Sequence, residues 1–253
     1  MVSARLVLAS GEIIIVSSTQ NPDLWWGLRG AGHNFGIVSE LTVKSYPQVN
    51  EGIHWTGALG YPGTEENVGR VVKALTETHI GRGMGCILLF ARIPPTGFQP
   101  MVIANLFYAG AEGDAKKQFS KFFELGPVMN MCTPTPYNEI NRPSREVCVK
   151  GGRKPTFSVS LEKLDLEKTK EIWNLWVAFT AKYDDSKRSI VLVENYGYEK
   201  TREVAGEETA FPHRDCNHHF VGIPHYEDPG LDEAAEEYGK KFREILHGEK
   251  KKV

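Results

Sequence analysis

The chain has 253 residues, is 41% hydrophobic and 25% charged, and carries a formal net charge of −2. That length supports one large core, or one domain with a smaller piece. Its charges alternate in sign without a basic stripe, which excludes nucleic acid as the expected partner; no apolar run reaches the ~20 residues of a membrane-spanning helix.

The first predicted elements are two short strands, ARLVLA and EIIIVSS, turned at Ser10 and Gly11. This opening stretch has one Arg, and Ser10, Gly11 and Glu12 interrupt its apolar residues. It does not follow a secretory-signal pattern, so a cytoplasmic location is expected. A helix comes next. Asn21 caps it, Pro22 takes the first helical position and Asp23 sits at the positive end of the dipole. Leu24, Trp25 and Leu28 form its apolar face, and Gly30 and Gly32 end it. FGIVSELTVKSYP then reads as a strand, with Ile37, Ser39, Leu41 and Val43 on one face and Val38, Glu40, Thr42 and Lys44 on the other.

The rhythm changes near 48–52, the expected boundary between a piece at 1–50 and a domain at 51–253. GIHWTGALGYP predicts a strand, and TEENVGRVVKALTETH an amphipathic helix that buries Val68, Val71, Val72 and Leu75. GCILLFARI and MVIANLFYAG are strands around the turn-rich PPTGFQP. DAKKQFSKFFEL is one helix with Phe119, Phe122 and Phe123 inward, stopped by Gly126 and Pro127, and 130–155 is loop-like. TFSVSLEKL, SIVLVENYG and HHFVGIPHY are strands. Between them, DLEKTKEIWNLWVAFTAKY is the longest helix, burying Ile172, Leu175, Trp176 and Phe179. LDEAAEEYGKKFREIL is the last helix, with Asp232 as its cap, and the tail GEKKKV is a frayed, solvated end. Strands pair up between helices, so the predicted class is α+β: an antiparallel-rich sheet with helices on one face.

The combined motifs carry a resemblance. NPDLWWGLRGAGHNFGIVSELTVKSYP resembles the end of the flavin-binding domain in FAD-linked oxidases of the berberine-bridge-enzyme-like family. SARLVLASGEIIIVSS is similar to the strand pair before it. NLFYAGAEGDAKKQFSKFFELGPV and VENYGYEKTREVAGEETAFPHRD are similar to substrate-domain segments of the same family. The resemblance runs from 3 to about 245. It implies a flavin-domain remnant followed by a substrate domain with an antiparallel sheet. It also implies that the larger first half of the flavin domain and a short C-terminal segment lie outside this sequence. In related oxidases the backbone at Gly36, Ile37 and Val38 would lie near the flavin, although Gly30, Gly32 and Gly36 also suit turns and close packing alone. GAGHNFGIV is not a dinucleotide fingerprint, because its glycines follow a helix and lead into a strand.

Candidate chemistry gathers in two places. Glu194 ends an apolar strand, where a carboxylate is suited to act as a general base. Tyr196 shares its strand face, and Asn195 points the other way. In FPHRD, Arg214 suits bidentate binding of a carboxylate or enolate and His213 suits proton transfer; a rigid structural corner is the competing reading. His218, His219 and His225 are near, but adjacent His218 and His219 point to opposite strand faces, so no metal is expected. The four cysteines are scattered without a CxxC pair, which argues against a zinc or redox motif. The reading that follows is a cofactor-free small-molecule enzyme of the cyclase, isomerase or dehydratase type, derived from the oxidase family, with Glu194, Tyr196, His213 and Arg214 as its acid–base residues. The alternatives are an FAD-dependent oxidoreductase completed by another half or chain, and a non-catalytic binding module. A homo-oligomer is expected through surface left bare by the flavin domain.

Overall fold

The computed structural model describes residues 1–143 and 150–247. Cys148 and the GEKKKV tail lie outside the described residues. The chain folds into two compact units: Met1–Gln48 with Tyr198–Asp215, and Val49–Gly197 with Cys216–Val253. Segment 198–215 therefore packs with the N-terminal piece, whereas the sequence reading grouped it with 51–253.

In the first unit, β1 (Ser3–Val7) is the centre of a three-stranded antiparallel sheet, flanked by β2 (Ile13–Ser17) and β3 (Ile37–Thr42). Helix α1 (Pro22–Ala31) covers one face, where Leu6, Val16 and Trp25 form a small core. Asn21 does not cap α1 with its side chain. It adopts a left-handed conformation, and its Nδ2 donates to Ile15 O at 2.8 Å, which ties the helix start to β2. β3 departs from simple alternation. A bulge at Ser39 puts Val38 opposite Leu6 and Leu41 opposite Ala4, while Ile37 pairs with Val7 and Glu40 with Arg5. One extra residue flips the face of everything after it, so Ile37 and Leu41 do not share a side. Ile13, Ile15 and Ile37 are exposed on the sheet face away from α1.

The second unit is built on an eight-stranded sheet in which every pairing is antiparallel. Its order is β7 (Met129–Asn130), β4 (Ile53–Pro62), β6 (Pro100–Tyr108), β5 (Met84–Arg92), β10 (Ile190–Tyr196), β11 (His218–Ile223), β9 (Phe157–Leu161), with β8 (Thr133–Pro136) also on β4. The short strands β7 and β8 lie in a stretch that the sequence left as loop, since two- and four-residue strands show no period. Helices α2 (Glu65–Thr76), α5 (Leu166–Lys182) and α7 (Asp232–His247) pack side by side. Thr64 caps α2 by accepting from Asn67 N, and Asp165 caps α5 by accepting from Lys168 N. Asp232 is the first residue of α7, and its carboxylate instead accepts from Tyr226 Oη at 2.8 Å and pairs with Arg153. The expected helix at 114–125 is two, α3 (Glu112–Gln118) and α4 (Ser120–Glu124), broken where Phe119 turns into the core against Trp55. Between α6 (Glu199–Arg202), which belongs to the first unit, and β11 the chain returns to this sheet.

The main core lies between sheet and helices. Val68, Val71 and Leu75 of α2, Ile172, Trp173 and Trp176 of α5, and Phe242 of α7 meet Leu88, Phe90, Val191, Val193 and Phe220 of the strands. Trp173 sits edge-on to Phe90 at 5.1 Å, and Trp176 Nε1 donates to Ser189 O at 2.9 Å, so the indole is buried without an orphaned donor. Tyr238 differs. Its hydroxyl is buried with no hydrogen-bond partner among the described residues, and burial holds the phenol well above its usual pKa. Tyr238→Phe removes a desolvated donor without leaving a hole. It is therefore expected to raise the unfolding free energy by about 1 kcal/mol in a denaturant titration; a loss of similar size would reveal a partner for that hydroxyl.

Candidate functional site

Alternation along β10 decides which of its side chains meet the core. Val191, Val193 and Asn195 are buried beneath the helices, whereas Leu192, Glu194 and Tyr196 emerge on the opposite face. Tyr196 Oη donates to Glu194 Oε2 at 3.1 Å, so the two candidates do meet. The register extends Glu194 into a row across the sheet. His219 of β11 is its partner on one side and Ile87 of β5 on the other. Ser160 of β9 lies beyond His219, and Asn105 of β6 beyond Ile87. Ser160 Oγ and His219 Nδ1 are hydrogen-bonded at 2.7 Å. The next row is apolar from Val221 through Leu192 and Leu89 to Ile103, with Ser158 of β9 at its end. This face therefore offers one carboxylate, an imidazole and neutral hydrogen-bonding groups beside an apolar strip. Such a surface can seat a small organic molecule and move a proton on it.

On the core side, Asn195 and His218 form a buried polar pair that sequence reasoning missed. Asn195 Nδ2 donates to Cys86 O at 3.0 Å and Val193 O at 2.9 Å, and its Oδ1 makes a short hydrogen bond with His218 Nδ1. An amide oxygen only accepts, so Nδ1 of His218 carries the proton. Burial, assisted by His219, lowers the His218 pKa from 6.5 to about 4 and keeps the ring neutral. The one available signal was that His218 shares its strand face with Phe220, a core residue.

His213 and Arg214 belong to the first unit. Trp26 Nε1 and Arg29 Nη2 on α1 donate to Glu207 O and Glu208 O at 2.8 and 2.6 Å, and Ala210 N donates to Trp26 O, so α1 anchors this segment. Arg214 donates through Nη1 to Thr201 O at 3.0 Å and through Nη2 to Thr209 Oγ1, with its guanidinium over the Phe211 ring. The guanidinium thus ties its own corner together, the structural reading that the sequence kept beside ligand binding. His213 is exposed, edge-on to Phe211.

A cleft of about 350 Å³ elsewhere in the second unit is lined by Asp184, Asp185, Lys187, Arg188, His225 and Glu227, among others. Asp185 is already occupied there, accepting from Glu227 N and Asp228 N at 2.8 and 2.9 Å, and those bonds hold its pKa below the usual range. Among the described residues, Cys86, Cys132 and Cys216 are free thiols; burial pushes Cys132 up to about 12. No group of three or more His, Cys, Asp or Glu residues among them is placed to hold a metal ion, and no described helix is long and apolar enough to cross a membrane.

No family model matches the chain. Known proteins do. It is 32% identical over 234 residues to the FAD-linked oxidoreductase alt4 of Alternaria solani, a match covering 87% of this chain and 48% of that protein. Two solved structures share the fold. Chitooligosaccharide oxidase superposes with a TM-score of 0.79 at 20% identity, covering 100% of this chain and 55% of the other. The BBE-like #28 protein of Arabidopsis thaliana does so with 0.79 at 15% identity, covering 98% and 53%. The chain belongs to the berberine-bridge-enzyme-like family of FAD-linked oxidases. It spans about half the length of the curated relatives it matches. Those relatives are named as FAD-linked oxidoreductases, the class that the sequence reading kept as its alternative to a cofactor-free cyclase.

The family's flavin can be tested against Gly36, Ile37 and Val38. Gly36 has φ +145°, and a Cβ there would meet Val7 O at 2.3 Å. The glycine thus serves close packing within its own sheet. Ile37 and Val38 are exposed, 73% and 43%, and point to opposite faces of the sheet. Two apolar side chains on opposite faces are not an enclosing cradle with convergent polar groups, so these three residues do not by themselves fit a flavin.

The His218 pair has a consequence for pH. Its folded pKa, about 4, lies below the 6.5 of an unfolded imidazole, so below pH 6.5 the unfolded chain binds the extra proton. The stability is present above 6.5 and is lost as pH falls toward 4, by roughly 1–3 kcal/mol after allowance for solvent screening. Unfolding curves of wild type and His218→Gln are expected to converge as pH falls across this window; parallel curves would show that His218 is not the group lost.

Proposed function

We propose that the protein is an FAD-linked oxidoreductase whose small-molecule substrate rests on the sheet face around Glu194. Family membership supports the redox class, and the hydrogen-bonded Glu194–Tyr196 pair beside an apolar strip is the observation that carries the site. Glu194 accepts a proton from the substrate's reacting position. Tyr196 Oη, already donating to Oε2, holds the carboxylate in place and follows its charge. Leu192, Leu89 and Val221 seat the apolar part of the substrate and keep water from that side. A flavin, where bound, would supply the electron acceptor, and Gly36, Ile37 and Val38 would not hold it by themselves. His213 is exposed and Arg214 is committed to its corner, so neither enters this mechanism.

The test uses protein isolated from its own cells. It is expected to show the visible absorption bands of a bound flavin, and Glu194→Gln is expected to lower kcat by about 10²–10⁴-fold at unchanged flavin content. Full turnover without flavin would overturn the redox reading in favour of cofactor-free acid–base chemistry. A Glu194→Gln variant with wild-type turnover would remove Glu194 as the base.

A further inference from the structure

We infer that His219 is a positioning and proton-relay residue for Glu194, and that Ser160 holds it in that role. The three side chains stand on adjacent antiparallel strands, β9, β11 and β10, in direct register: Ser160 opposite His219, and His219 opposite Glu194. Directly opposed residues on one sheet face have Cβ atoms about 4.5–5.5 Å apart, close enough for a carboxylate and an imidazole to share a proton. The order across the sheet is that of a relay, hydroxyl, imidazole, carboxylate, and the fold imposes it through strand pairing alone.

The Ser160–His219 bond, 2.7 Å to Nδ1, fixes one ring nitrogen and with it the plane of the imidazole. A hydroxyl rotates to donate or accept as needed, so Ser160 accepts from Nδ1–H when the ring is an imidazolium and stabilises that charge. The inference rests on the reading of Glu194 as proton acceptor. The proton Glu194 takes from the substrate passes to His219, which restores the carboxylate and leaves an imidazolium; His219 then releases it to solvent. No bond other than O–H and N–H changes, and no electrons are transferred.

On the facing strand β10, Glu194 stands directly opposite His219 and Tyr196 lies two residues on along the same face. β9 presents Ser158 and Ser160 on that face, and His218 lies on the reverse face of β11. Glu194 is the carboxylate directly across the sheet from the imidazole, and His218 on the reverse face also acts on it electrostatically. A carboxylate on the directly opposed position favours the imidazolium, so its removal is expected to lower the midpoint.

The ring signals of His219 can be followed by NMR as pH is varied in wild type, Glu194→Gln and Ser160→Ala, with Glu194→Asp as the conservative variant. Glu194→Gln is expected to lower the His219 midpoint by about 0.5–2 pH units, the Coulomb effect of one charge at about that spacing between the limits of bulk water and a protein surface. Ser160→Ala is expected to lower it less, and Glu194→Asp to keep most of the elevation. A midpoint unmoved in Glu194→Gln and Ser160→Ala overturns the inference; where the Gln variant does not fold, a midpoint unmoved in Ser160→Ala does so. The readout needs neither flavin nor turnover. A flavin-free protein would therefore sink the proposed function and leave this result standing, and an unmoved midpoint would do the reverse.

Discussion

The pleat of the eight-stranded sheet is the constraint on which the rest depends. Successive side chains of a strand must point to opposite faces, and the aromatic and aliphatic side chains of α2, α5 and α7 claim one face completely. Trp173, Trp176 and Phe242 hold Phe90, Val191, Val193 and Phe220 inward. Once Val193 and Asn195 are committed to the core, Glu194 and Tyr196 have one direction left. A one-residue slip of β10 would bury a carboxylate beneath the helices at a cost of several kcal/mol and expose Val193. Core packing and site geometry are thus fixed by a single choice of register.

The same choice explains a polar pair inside the core. Asn195 must face the helices, so it needs partners there, and it finds the carbonyls of Cys86 and Val193 and the ring of His218. The pair stitches β5, β10 and β11 together directly beneath Glu194 and His219. Two faces of the same strands therefore serve different ends: neutral, satisfied hydrogen bonds below and titratable groups above. In the first unit a comparable division is made by a bulge. The extra residue at Ser39 lets Val38 and Leu41 lie on the α1 side while Ile37 and Glu40 go to the other.

Much of this was legible in the sequence, because helices with a wide apolar stripe and strands with a strict period announce themselves. The α5 pattern of Ile172, Trp176 and Phe179 and the opposite orientation of Asn195 and Glu194 are both local facts. What could not be read was register. Nothing in HHFVGI says that His219 stands beside Glu194 and Ser160, since that depends on pairings between segments far apart in the chain. The break at Phe119 is equally non-local, caused by Trp55 waiting in the core. The role of Arg214 was ambiguous for a similar reason: an Arg that binds a ligand and one that binds Thr201 and Thr209 have the same sequence. Gly36 carried two readings, a flavin neighbour by resemblance and close packing by its own chemistry, and Val7 O stands where its Cβ would be.

The central claim is that chemistry takes place on the sheet face opposite the helices. Ile87 lies beside Glu194 on that face, and Ala178 is exposed on the outer side of α5. The most direct measurement compares kcat/KM for Ile87→Arg and Ala178→Arg in the isolated protein, with thermal midpoints as the folding control. The account predicts a loss of about 10²-fold for Ile87→Arg, since displacing substrate by even about 1 Å can cost that much, and wild-type values for Ala178→Arg. Equal, undiminished activity in both folded variants would contradict it.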